Sequence, residues 1–276
     1  MKIAIRIAVL MTFFGSGLVA HAELIAAYNF EADEGCETPQ FTDRSGNGNH
    51  LTIFTDAATP TWNATSGVEG GAFTFDKSDL LIAPIDVRAQ TLPKMTWGAW
   101  VQIHDIRERN QKVLGASGGA FQRAIGIDNR PDGNQFRYTA FAGQPNGQPR
   151  TGQWIGTNSW YTCPRDPGKW AFIAAAYDNE AGKLTFYCDL EVNSTTEPLH
   201  VEEWNTNLTD SGQTKFAIGA LRPDVVEDGF GGIIDNVFVH DKVLDGKQLT
   251  AYRNGGFQAI MLINNVRTTR LSRLEE

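Results

Sequence analysis

Apolar and polar residues alternate with a period of two over short runs through most of this chain, the pattern of strands with one face buried. The period predicts strands over residues 24–30, 50–54, 71–75, 80–83, 94–104, 112–115, 123–128 and 136–141. The pattern resumes over 169–178, 183–190, 201–204, 215–220 and 232–240. The breaks are rich in turn formers, as in Arg130-Pro131-Asp132-Gly133-Asn134 and Asn179-Glu180-Ala181-Gly182, which marks hairpins. Runs 169–178 and 183–190 are therefore expected to pair directly. Parity places Gln102 and His104 on one face with Trp100, Cys188 with Leu184 and Phe186, and Asp235 with Ile233, Val237 and Val239. Helical periodicity is confined to the end of the chain, where Asp245 is the expected N-cap and Gly255 the expected stop of one short helix. The prediction is an all-β antiparallel sandwich over 23–256 with a helical plug. Residues 257–276 read as a tail, apolar over 257–266 and charged beyond, docked at first and loose at its end.

The first residues change the picture of where the chain works. A charged start (Lys2, Arg6), an apolar stretch from Ile7 to Val19 and Ala20-His21-Ala22 spell a signal peptide over 1–22, with cleavage after Ala22. The apolar stretch is shorter than a membrane span, and Gly15-Ser16-Gly17 interrupts it. The expectation is a secreted, periplasmic or extracellular protein with no membrane span. Loss of the leader leaves 22 basic against 32 acidic residues, a net charge of −10, which argues against nucleic acid or anionic lipid as partner. Of the three cysteines, Cys163 precedes the strand that hairpins with the one carrying Cys188, so Cys163–Cys188 is the favoured disulfide in an exported chain. Three small buried hydrophobes are the alternative. Sequons at Asn63, Asn193 and Asn207 add nothing without knowledge of the host.

A series of segments also resembles a known family. Ala27-Tyr28-Asn29-Phe30 comes first, then Asp43 to Asn49, Gly71-Ala72-Phe73-Thr74-Phe75-Asp76 and Met95-Thr96-Trp97-Gly98-Ala99-Trp100-Val101. Lys169 to Asp178, Phe216-Ala217-Ile218-Gly219, Gly232-Ile233-Ile234-Asp235-Asn236-Val237 and Leu249 to Gly255 complete it. In order and spacing these are similar to a laminin-G-like, concanavalin A-type jelly roll, a lectin and glucanase superfamily. The resemblance implies the sandwich fold. It does not by itself choose a function, because the fold hosts binding modules, lyases and hydrolases.

Asp43-Arg44-Ser45-Gly46-Asn47-Gly48-Asn49 is a tight turn headed by a carboxylate, and such loops present oxygen ligands to calcium. Asp235 sits within an apolar strand and needs a partner or a metal. Asp43, Asp235 and the carbonyls around Gly46 and Asn47 are therefore the expected calcium ligands, and the resemblance implies the same use. The alternative is that Asp43 caps an Asx-turn and Asp235 accepts backbone amides. An EF-hand is excluded, because its twelfth position is Phe54 instead of Glu.

Trp154, Trp160 and Tyr161, in a long polar connection, together with Trp62 and Trp204 in other short segments, are candidates for a sugar-stacking platform, with plain packing as the alternative. Gln102-Ile103-His104 is similar to a tripeptide of jelly-roll alginate lyases, which implies an Arg and a Tyr beside it; Arg123, Arg137 and Tyr138 are the available residues. The rest of that lyase pattern is missing. A retaining glucanase needs two carboxylates facing one bond, and Glu31-Ala32-Asp33-Glu34-Gly35-Cys36 lacks the last acid while Glu202 and Glu203 point to opposite faces. The four histidines that follow the leader show no zinc spacing. The expected function is a secreted, calcium-stabilised module that binds a glycan (polysaccharide or glycoconjugate) or a surface partner, without catalysis. A polysaccharide lyase, or a structural or adhesive envelope component, are the rivals.

Overall fold

A computed structural model of the chain describes residues 24–32, 41–104, 110–119, 122–129, 136–147, 155–156, 167–188 and 200–271. The expected leader lies outside them, as do Cys36, Trp154, Trp160, Tyr161 and Cys163. In chain order the strands are β1 (Leu24–Tyr28), β2 (Thr52–Ile53), β3 (Thr61–Asn63), β4 (Ala72–Asp76) and β5 (Leu81–Ala83). The long central ones follow: β6 (Lys94–Ile103), β7 (Gln111–Gly115), β8 (Ala124–Asn129), β9 (Phe136–Gly143) and β10 (Ile155–Gly156). The last are β11 (Trp170–Asp178), β12 (Lys183–Cys188), β13 (His200–Glu203), β14 (Phe216–Ile218) and β15 (Gly231–His240), before the helix α1 (Gly246–Leu271).

These form two antiparallel sheets. Sheet one has the order β13-β12-β11-β6-β15-β4-β3, with β1 also on β15; sheet two runs β10-β9-β8-β7-β14-β5-β2. The expected hairpin is present, with Asp178 opposite Lys183. The periodicity missed only the short β3 and β10.

Alternation fills the space between the sheets. Met95, Trp97, Ala99, Val101 and Ile103 of β6 and Ala171, Ile173, Ala175 and Tyr177 of β11 face inward against Ile125, Ile127, Tyr138, Phe216 and Ile218 of sheet two. Trp97 is at the centre, edge-on to Tyr177 and Phe216 at 6.1 and 5.5 Å. Part of the other face of sheet one is also covered: Phe172, Ala174, Ala176, Tyr187 and Phe238 form one buried cluster with Leu249, Tyr252, Phe257 and Ile260 of α1. Gly98 permits this, because a Cβ there would stand 2.6 Å from the Ile173 carbonyl and 2.7 Å from the Phe238 ring.

The helix confirms one expectation and corrects another. Asp245 Oδ1 accepts from Gln248 N (2.9 Å) and Gln248 Oε1 accepts from Asp245 N (3.0 Å), a reciprocal N-terminal cap. The expected stop is a kink instead: the chain breaks at Gly256 (φ 58, ψ −156) and becomes helical again through Leu271. The second segment can start because Glu69, from a loop far upstream, accepts from Phe257 N at 2.9 Å and caps it.

Candidate functional site

Two carboxylates expected to share one ion are held in separate places. Asp43 is buried, and both its oxygens are occupied by donors: Ala27 N and Ser45 N on Oδ1, Ser45 Oγ and Asn49 N on Oδ2, at 2.8–3.1 Å. Asn47 turns its amide nitrogen, not its oxygen, to the Leu24 and Ile25 carbonyls (2.7 and 3.1 Å). This turn is a hydrogen-bonded plug on β1. The Asp43 oxygens that calcium would take are each engaged by two N–H or O–H donors, which disfavours this carboxylate as a ligand.

Asp235 does not face the inter-sheet core either. Ile234, Val237 and Val239 do. The register of β15 slips between Asp235 and Phe238, with Asn236 at φ 49, and this bulge reverses the expected parity. Asp235 points instead to the loop that precedes β4, where it is fully buried. Val68 N and Glu69 N reach Oδ2 at 2.9 and 3.4 Å, and Asn236 N reaches Oδ1 at 2.7 Å. Burial pushes the carboxyl up to about 8, opposed by these amides and reinforced by Glu31. Glu31, whose own pKa is raised by burial and by Glu69, accepts from Gly71 N (3.0 Å). Glu69 accepts from Asn236 Nδ2 at 3.3 Å, while Asn236 Oδ1 is buried without a hydrogen-bond partner. Among the described residues no three His, Cys, Asp or Glu side chains are grouped to hold a metal ion.

The lyase set is dispersed. Gln102 and His104 continue the outer face of sheet one beyond Trp100, as expected from their parity. Tyr138 is on sheet two, inside the inter-sheet core, and Arg137 precedes it on the opposite face of β9. Arg123 is a buried brace: its guanidinium donates to Val87 O, to Leu92 O (2.6 Å) and to Asn179 Oδ1 (2.7 Å) and lies 5.2 Å from the Tyr177 ring centre. No single groove collects these residues, the set of the lyase alternative.

The described candidate aromatics are packed as well. Trp62 is half-buried in β3 and donates to Phe30 O at 2.8 Å. Trp204 is half-buried against the core, with its backbone N–H on Gly182 O. Trp154, Trp160 and Tyr161 lie outside the described residues, as does Cys163; Cys188 faces the core beside Leu184 and Phe186, as its parity implied.

What the sequence did not disclose is a cleft of about 360 Å³ on the outer face of sheet one. Its floor is Ala176 and Asp178 of β11, Lys183, Thr185 and Tyr187 of β12 and Val201 of β13; Val243, Leu244 and Asp245 form the wall. Thr96 fixes that wall, donating to Lys242 O (2.6 Å) and accepting from Leu244 N (2.9 Å). A second cleft, between Arg88, Gln90, Gln122 and Asp210, is about 40 Å³, room for little more than water. The polar alternation Lys183, Thr185, Tyr187 was visible in the sequence; the wall was not.

The fold and its surfaces can now be set beside known proteins. A sequence model of the concanavalin A-like lectin/glucanases superfamily matches residues 75–250. The chain belongs to that superfamily. No curated protein matches it in sequence. Among solved structures, domain 4 of AbnA, a GH43 extracellular arabinanase from Geobacillus stearothermophilus in complex with arabinotriose, is 20% identical with a TM-score of 0.58, covering 84% of this chain and 98% of that one. The binding domain of botulinum neurotoxin DC in complex with SialylT is 12% identical with a TM-score of 0.56, over 84% of this chain and 51% of that one. The binding domain of Paraclostridial Mosquitocidal Protein 1 is 13% identical with a TM-score of 0.57, over 82% and 51%. This superfamily member thus spans about half of the toxin chains, and at these identities the likeness concerns the fold. No described helix is long and apolar enough to cross a membrane.

Proposed function

We propose that this lectin-like chain is an exported glycan-binding module that does no chemistry of its own. The observation that carries the reading is the open cleft on sheet one, on a fold shared with domains crystallised with arabinotriose and SialylT. The dispersal of Gln102, His104, Arg123, Arg137 and Tyr138 favours binding over the lyase alternative, because elimination beside a uronate needs its base, acid and counter-charge within about 3 Å of one sugar. An adhesive envelope component is the other alternative. A glycan array combined with ultraviolet detection of unsaturated products separates the three: retention of a glycan class without product is expected. A reproducible product abolished by His104→Ala would establish the lyase instead, and an empty array would leave the adhesive reading.

In this reading the leader is cleaved after Ala22, and Trp154, Trp160 and Tyr161 add a stacking surface. A structural calcium ion belongs to the same reading, with the Asp235 carboxylate and the unpartnered Asn236 Oδ1 as the oxygens it would meet. Cys163 and Cys188 form a disulfide. Peptide mapping of unreduced exported protein is expected to recover the two cysteines in one linked peptide; recovery of both as free thiols would remove the bridge.

A further inference from the structure

We infer that the cleft on sheet one recognises an uncharged sugar unit through neighbouring hydroxyl groups, using Asp178, Lys183, Thr185 and Asp245. The inference rests on the glycan-binding reading and names the site and ligand class within it. Four polar groups line the cleft with bonding capacity that the protein does not use. Thr185 makes no side-chain hydrogen bond and Lys183 no ion pair among the described residues. Asp178 gives one oxygen to Ala181 N at 2.9 Å, while the other meets only the Lys94 ammonium at 4.0 Å. Asp245 gives one oxygen to Gln248 N, and its second accepts nothing among the described residues.

Between them the surface is apolar. Ala176 and Leu244 are each 1% exposed and Tyr187 is 5% exposed, with the more open Val201 and Val243 at the rim. The small side chain of Ala176, between β6 and β12, gives the cleft its depth. An apolar floor with a few convergent polar groups, in a volume of this order, is the usual form of a small-ligand site. Sugar hydroxyls donate and accept at once. They can therefore donate to the unused carboxylate oxygens of Asp178 and Asp245 and accept from Lys183 and Thr185, which a purely acidic or purely basic ligand could not do.

The charges exclude uronates and sialates. Two aspartates and one lysine line the cleft, Glu203 stands opposite Lys183 in register, and Lys94 is already paired with Glu180 at 2.6 Å. A ligand carboxylate would meet an excess of negative charge.

Isothermal titration of the folded exported protein with arabinotriose, xylotriose and cellotriose, against trigalacturonate, tests the inference. At least one neutral trisaccharide is expected to bind more tightly than trigalacturonate. Thr185→Val is expected to weaken it about three- to tenfold, the range of one neutral hydrogen bond. Asp178→Asn, which keeps the acceptor for Ala181 N, is expected to weaken it about tenfold or more. Lys183→Met keeps the aliphatic stem and should also weaken binding, while unfolding temperatures confirm that each variant is folded. Unchanged affinity in all three variants would place the sugar elsewhere and overturn the site while leaving the glycan-binding reading intact. Preference for trigalacturonate would overturn the ligand class. Failure of the neutral panel overturns the inference, and a blank glycan array beside it would bring down the reading beneath it.

Discussion

In a chelating buffer the protein is expected to lose stability as pH rises from about 5 to 8, the opposite of what its many carboxylates would suggest. Asp235 is the cause. Its folded pKa, about 8, lies well above the ordinary carboxyl value of 3.8, so between those values the folded chain holds a proton that the unfolded chain has released. Stability from this group is fully present below about pH 4, declines across the window and levels off above about 8. The slope is at most about 1.4 kcal/mol per pH unit. Asp86, held at about 2 by its Arg88 hydrogen bonds, acts in the opposite sense but only at lower pH; Glu31 adds to the Asp235 trend. Asp235→Asn is expected to flatten the profile, at the cost of about 1 kcal/mol for one lost backbone acceptor. Calcium in excess is expected to raise the unfolding temperature more at pH 8, where Asp235 is ionised in a larger share of molecules, than at pH 5.5. A slope unchanged in Asp235→Asn would refute the assignment, and coincident curves with calcium and chelator at pH 8 would remove the ion.

Replacing Arg123 by alanine is expected to destabilise the sandwich by about 3–5 kcal/mol. Arg123 is 3% exposed, and its removal strands Val87 O, Leu92 O and Asn179 Oδ1 while opening a void against Tyr177. Burial lowers its pKa to about 10, still high enough to keep the brace charged at neutral pH. Each kcal/mol is worth about 2–4 °C in a domain of this size, so the unfolding temperature is expected to fall by about 10 °C. Arg123→Lys is expected to recover little, since a single ammonium cannot reproduce a planar fork over three acceptors and a ring. An alanine variant that melts like the wild type yet changes any sugar-dependent activity would return Arg123 to a functional role.

The sequence determined the parts that depend on local periodicity and turn chemistry. Alternation set the long strands and put Trp100, Gln102 and His104 on one face, and Leu184, Phe186 and Cys188 on the other kind, because a strand leaves its side chains only two directions. The Asp43 turn is legible as an Asx-type cap, since its partners are mostly within six residues. Asp245 likewise announced the helix it caps.

What only the tertiary structure decided involved partners far apart in the chain. Asp235 reversed its face because β15 slips register against β6, a property of two strands and not of one. Gly255-Gly256 read as a stop, but Glu69, nearly two hundred residues earlier, supplies the acceptor that lets the helix resume. Arg123 read as chemistry until the loops around Val87, Leu92 and Asn179 closed on it. The cleft, finally, has its floor on β11, β12 and β13 and its wall at 243–245, held there by Thr96 of β6. Its shape is a difference in height between neighbouring elements, and periodicity along one chain carries no information about that.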